Sequence, residues 1–179
     1  MTRHALALVL VALALVATSC AGDDESDTAA TTEWASDFCT ATLTWSDELE
    51  RIADDLSDLT SLSSDAIVSA GEEARTATDA YVDELRGLGG PDTDSGQAVE
   101  DSIETLASEV EEEMAEIEDA IEDISGITGI TTAAREVRAS AAAMFGAFEE
   151  AFRAIGDADE SGEIATAFDE AESCSEIAS

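Results

Sequence analysis

The chain has 179 residues, of which 43 are acidic against seven arginines and one histidine, for a formal charge of −36. It has no lysine and no asparagine, and its only histidine is His4. The missing lysine excludes a Schiff base, and loss of His4 with the export signal described below would exclude a Ser-His-Asp triad, a His-ligated zinc and a Glu-x-x-His di-iron site; the charge repels nucleic acid and anionic lipid. Carboxylate pairs remain, but glycosidase-like chemistry needs a cleft that keeps one carboxyl neutral. The pattern offers none, so no enzymatic activity is expected. Two readings fit the acidity itself: a solvated, salt-tolerant surface, or acidic faces that bind divalent cations weakly.

Residues 1–19 read as an export signal. Arg3 and His4 give a short basic start, Ala5 to Val16 form the apolar run, and Ala17, Thr18 and Ser19 lead to Cys20. About twelve apolar residues are too few to span a bilayer, which takes roughly 20. Ala-Thr-Ser-Cys resembles the lipobox of bacterial lipoproteins, with Ala17 where such motifs prefer Leu. The resemblance implies that Cys20 becomes the lipidated N-terminus. The alternative is an ordinary signal peptide followed by a structural cysteine. Once residues 1–19 are removed, six arginines face 43 acids, a formal −37. Electrostatics would not hold such a chain to a membrane, whereas covalent lipid would.

Residues 20–32 comprise the lipidated cysteine and AGDDESDTAATT, which has no periodicity and reads as a flexible acidic tether. It would hold the folded part on the order of 20 Å from the lipid. Residues 33–179 suit one all-α domain. Trp34, Phe38, Ala41, Trp45, Leu49, Ile52, Leu56 and Leu59 keep to one helical face. SLSSD breaks the pattern and supplies N-cap serines. Ile67, Ala70, Ala74, Thr78, Tyr81, Leu85 and Leu88 form the second stripe, which ends at GLGGP. The third stripe follows Ser95, a candidate cap, and runs from Val99 through Ile103, Leu106, Val110, Met114, Ile117 and Ile121 to Ile124. No base lies between Gly87 and Ala134, so no i,i+4 ion pairs support this helix. SGITGITT reads as a turn. A fourth helix then carries Ala134, Val137, Ala141, Met144, Phe148, Phe152 and Ile155, and a short fifth begins near Gly162. The expected architecture is an up-down-up-down four-helix bundle with a short C-terminal fifth helix. A pair of long hairpins completing their core by dimerising is the other possibility.

Three features invite a functional reading. DADESGEI puts Asp157, Asp159, Ser161 and Glu163 in a stretch spaced like a calcium loop, but the position that needs a bidentate Glu holds Phe168. Its alternative is a helix stop and a helix cap, with no cofactor. Trp34, Phe38 and Trp45 could form a ligand platform, although their helical spacing suits core. Ile127 and Ile130 could dock a partner at the end of the bundle remote from the lipid, or cap its core.

With Cys20 lipidated, Cys39 and Cys174 form an even pair in an oxidising compartment. An even number of antiparallel helices puts the start of the first and the end of the fourth together, so the fifth helix can bring Cys174 back to Cys39. A disulfide is expected, with two buried free thiols as the alternative.

The lipobox, the WASDFC…W opening of the first helix, the GLGGPDTDSGQ turn and the late ESC together resemble small actinobacterial lipoproteins of unassigned function. The resemblance implies location and fold, not mechanism: a helical protein on the extracytoplasmic face of the cell membrane, anchored by its N-terminal lipid. Its partner there would be an unidentified envelope protein or ligand, not nucleic acid. A non-catalytic binding or envelope-organising role follows, with low-affinity divalent-cation binding through the acidic faces as the alternative.

Overall fold

The computed structural model describes residues 23–56, 63–122, 124 and 126–177, and among these it contains helices and no strand. In chain order the helices are α1 (Asp23–Asp55), α2 (Ser64–Leu88), α3 (Gly96–Glu122), α4 (Gly126–Ala158), α5 (Glu163–Glu170) and α6 (Glu172–Ile177). The apolar stripes explain the packing. α1 lies against α2, α2 against α3, and α3 most extensively against α4. α5 and α6 cover another side of α1, and α5 also touches α4. The all-α bundle expected from the stripes is the observed fold.

The core is built where the stripes meet. Phe38, Leu85, Val99, Ile103, Leu106, Val110 and Ile155 are almost wholly buried. A small polar network sits among them. Trp45 stacks on Tyr81 with ring centroids 4.6 Å apart, and its indole N–H donates to Thr78 Oγ1 at 3.2 Å. The Thr42 hydroxyl donates to the Phe38 carbonyl at 2.9 Å. Its proton is thereby used, so the Tyr81 hydroxyl, 3.3 Å away, is the donor to Thr42.

Burial pushes the Tyr81 phenol up to about 12 from 10.0. Because the folded value lies above the unfolded one, this contribution is complete below pH 10.0 and is lost as pH rises through about 12. Two pKa units correspond to about 3 kcal/mol. Tyr81 is the only tyrosine. Phenolate absorbance in an alkaline titration should therefore rise together with loss of helix between these values. Ionisation of a folded protein near pH 10.0 would contradict the burial.

Arginines cross-link neighbouring helices. Arg51 on α1 reaches Glu73 on α2 at 2.8 Å. Arg75 on α2 reaches Glu118 on α3 at 2.9 Å. Arg86 reaches Glu111 at 2.7 Å and Glu104 at 3.5 Å. Thus α3, which has no base of its own, borrows its counter-charges from α2. The Arg86 hydrogen bond holds the Glu111 carboxyl below its usual value despite slight burial. Exposed pairs of this kind contribute little individually; their effect is to relieve local repulsion.

Several boundaries differ from the sequence expectation. The segment read as a tether is helical from Asp23, and Thr31 within it is buried. Acidic residues at a helix N-terminus are favoured by the macrodipole, and the Thr32 hydroxyl reaches Glu170 at 3.4 Å. From Gly126 onward SGITGITT is helix, because α4 begins there. Ile130, half-buried, extends the apolar repeat backwards, so tertiary packing overrides the turn propensity of the glycines. The fifth helix divides at Ala171, whose backbone is extended, into α5 and α6. Ser63 caps α2 as expected, accepting from Ala66 N–H at 3.2 Å. The Ser95 hydroxyl instead donates to the Ala158 carbonyl at the end of α4, at 2.8 Å.

Candidate functional site

The strongest concentration of specific interactions lies at the end where α1 starts, α2 ends, α3 starts and α4 ends. Cys39 on α1 and Cys174 on α6 are joined there, with Cα atoms 5.1 Å apart. Both side chains are buried. The bond closes a loop of 136 residues, Cys39 through Cys174 inclusive. Beside it, the Ser173 hydroxyl donates to the Ser36 carbonyl at 3.0 Å.

Aromatic rings fill the space between α1, α4 and α5. Phe38 stacks with Trp34 at 5.8 Å and with Phe148 at 6.2 Å, and meets Phe168 edge-on at 5.9 Å. Phe168 in turn meets Phe152 at 4.9 Å. Trp34 and Trp45 are 7% and 3% exposed, so neither presents a face to a ligand. The Trp34 indole N–H donates to the Gly89 carbonyl at 3.0 Å, pinning the α2–α3 turn to α1. Within that turn the backbones of Gly90 and Gly96 approach too closely for side chains: a Cβ on Gly90 would overlap the Gly96 carbonyl, and one on Gly96 would overlap that of Pro91.

The stretch spaced like a calcium loop serves another purpose. Asp159 Oδ1 accepts from Gly162 N–H at 3.0 Å and Ser161 Oγ at 3.1 Å, while Oδ2 accepts from Ala165 N–H at 2.8 Å. Burial alone would raise the carboxyl, but hydrogen bonds from Ala165, Ser161, Ile164 and Gly162 outweigh it and hold Asp159 below its usual value. Gly162, at φ 78°, turns the chain so that these amides converge. Asp159 is therefore the N-terminal anchor of α5. Glu163 Oε2 lies 3.3 Å from Ser161 Oγ, and Asp157 is exposed. Among the described residues, no three or more His, Cys, Asp or Glu side chains gather into a group able to hold a metal. The proposed set Asp157, Asp159, Ser161 and Glu163 does not form one. Phe168, at the position calcium would need for a bidentate carboxylate, belongs to the aromatic cluster.

Ile127 and Ile130 lie in the first turns of α4 rather than on a loop. Ile130 is half-buried, and the Ile127 side chain lies outside the described residues, as does Cys20. An open groove of about 300 Å³ runs between α1 and α2, lined by Asp37, Thr40, Ala41, Glu84, Gly87 and Leu88. Thr40 spends its hydroxyl proton on the Ser36 carbonyl at 2.7 Å. The groove therefore offers acceptors to a visiting N–H donor or cation. Asp37 and Glu84 come together only through antiparallel packing, which no spacing along one helix reveals.

No protein-family model, curated protein or solved structure matches this chain. Among the described residues, no helix is long and apolar enough to cross a membrane.

Proposed function

We propose that the protein is a lipid-anchored, extracytoplasmic helical lipoprotein with a non-catalytic binding or envelope-organising role. The observation that carries this reading is the Cys39–Cys174 bond. Disulfides persist in oxidising compartments, and pairing these two leaves Cys20 as the odd cysteine, directly after an export signal. Lipidation accounts for that residue. Likeness to the small actinobacterial lipoproteins supports the same placement through Ala-Thr-Ser-Cys, WASDFC, GLGGPDTDSGQ and ESC. The residues present also suit binding rather than reaction, since the mature chain has carboxylates but no histidine or lysine to work with them.

With α1 helical from Asp23, the locked end of the bundle would lie next to the lipid. Ten helical residues, 23–32, advance about 15 Å. They put helix in place of a coil, and its last turn docks on the bundle at Thr31.

Membrane fractionation tests the reading. Wild type should sediment with membranes, resist high salt and dissolve in detergent. Cys20→Ala should be released, or should accumulate with its signal uncleaved. A Cys20→Ala protein that is fully processed and fractionates like wild type would contradict lipid anchoring.

A further inference from the structure

One face of α4 differs from every other long surface of this acidic protein. Residues 126–158 carry three arginines and four acids, whereas α3 carries eleven acids and no base, and α1 eleven acids and one arginine. Along α4, Arg135, Arg138, Ala142, Phe145, Glu149 and Phe152 follow one another in steps of 3, 4, 3, 4 and 3, which places them in a single row. All six are exposed. Phe145 is 53% exposed and Phe152 41%, two of the three large apolar side chains left open among the described residues. Among those residues the ion pairs belong to Arg51, Arg75 and Arg86, and Arg135 and Arg138 make none.

We propose that this row is a self-complementary surface on which a second copy of the chain packs, α4 against α4 and antiparallel. The spacing of the row reads the same in both directions. When a second helix is laid antiparallel about its midpoint, Arg138 faces Glu149 of the second copy, Ala142 faces its Phe145, and Arg135 faces its Phe152. Each contact occurs twice about the two-fold axis. The pairings are chemically matched: an ion pair, a large ring over a small residue, and a guanidinium over an aromatic face. Two bodies of formal charge −37 repel one another, and α4 is where they can approach with least opposing charge. An anionic membrane would meet the same repulsion from the rest of the molecule and would leave Glu149 facing phosphate. A second copy answers Glu149 with Arg138.

The test is the mass of the mature, lipidated chain by sedimentation equilibrium in density-matched detergent, across protein concentration and salt. Dimer is expected, and it should strengthen as salt screens the overall repulsion, the reverse of an association held only by ion pairs. Arg138→Glu and Glu149→Arg should each weaken it by at least about tenfold, since each turns two attractive pairs into repulsive ones. The double variant R138E/E149R should restore it. Because both positions are exposed, the monomer fold should be unchanged, and recovery in the double variant shows that directly. A monomeric mass at every salt and concentration overturns the proposal. So does a dimer indifferent to the single substitutions, which would place the contact elsewhere. Monomers that bind anionic vesicles through this row would likewise overturn it, in favour of a membrane surface.

Discussion

Opening the Cys39–Cys174 bond should cost the fold about 5 kcal/mol, the chain entropy of a 136-residue loop. For a domain whose total stability is about 5–15 kcal/mol, that is a large share. The bond joins α1 to α6 across almost the full described sequence. Without it, α5 is held to α1 by Phe168 against Trp34 and Phe38, and α6 by hydrogen bonds such as Ser173 to Ser36. Self-repulsion among the carboxylates enlarges the loss at low salt. With a urea m-value of about 2 kcal/mol per molar, the denaturation midpoint of a Cys39→Ser/Cys174→Ser chain should fall by about 2.5 M. Reduction of wild type should give the same shift. A fall under about 0.5 M would mean that the bond merely decorates an end already held by packing.

Phe38→Ala should be the most damaging single core substitution, at about 3–5 kcal/mol. Phe38 is fully buried and touches rings from three helices: Trp34 on its own helix, Phe148 on α4 and Phe168 on α5. Removing it opens a cavity among aromatic groups that cannot collapse onto one another without moving helices. Thermal or urea unfolding measures the loss, and a change in Trp34 fluorescence reports the local repacking. Val68→Ala provides the contrast. At 39% exposure on α2, Val68 should cost no more than about 0.5 kcal/mol. Equal effects from the two substitutions would show that the aromatic cluster does not hold α1, α4 and α5 together.

The stripes of α1, α2 and α3 were legible because their buried positions carry large apolar residues. Trp34, Phe38, Trp45, Tyr81, Leu85, Ile103, Leu106 and Val110 are all buried where periodicity put them. α4 was harder. Its stripe was read through Ala134 and Ala141, but the structure buries Ala133 and Ser140 and leaves Ala134 exposed. Alanines are equally at home on either side of a helix, so an alanine-rich helix leaves its phase loosely specified. The same ambiguity let Phe152 pass as core when it is 41% exposed.

The turn signals misled at SGITGITT, where glycine suggested a break and Ile127, Ile130 and Val137 instead continued the helix. Composition alone suggests coil for the acidic run at 23–32, because it carries no trace of the gain from docking its later residues, such as Thr31, against the bundle. Charge compensation on α3 was invisible to a rule that looks only four residues along the same helix. Glu104, Glu111 and Glu118 recur every seven residues, one face, and their partners Arg75 and Arg86 lie on α2. The pairing of Cys39 with Cys174 was within reach of counting and topology. The role of Asp159 was not, because the spacing of a calcium loop and that of a helix cap share their first residues.

The most direct test of the account is the intact mass of the protein extracted from its own membranes, denatured and alkylated without reductant. The chain should begin at Cys20 and carry the added mass of acyl groups and no alkylated thiol. A chain that keeps residues 1–19, a Cys20 without lipid, or alkylation at Cys39 and Cys174 would contradict it.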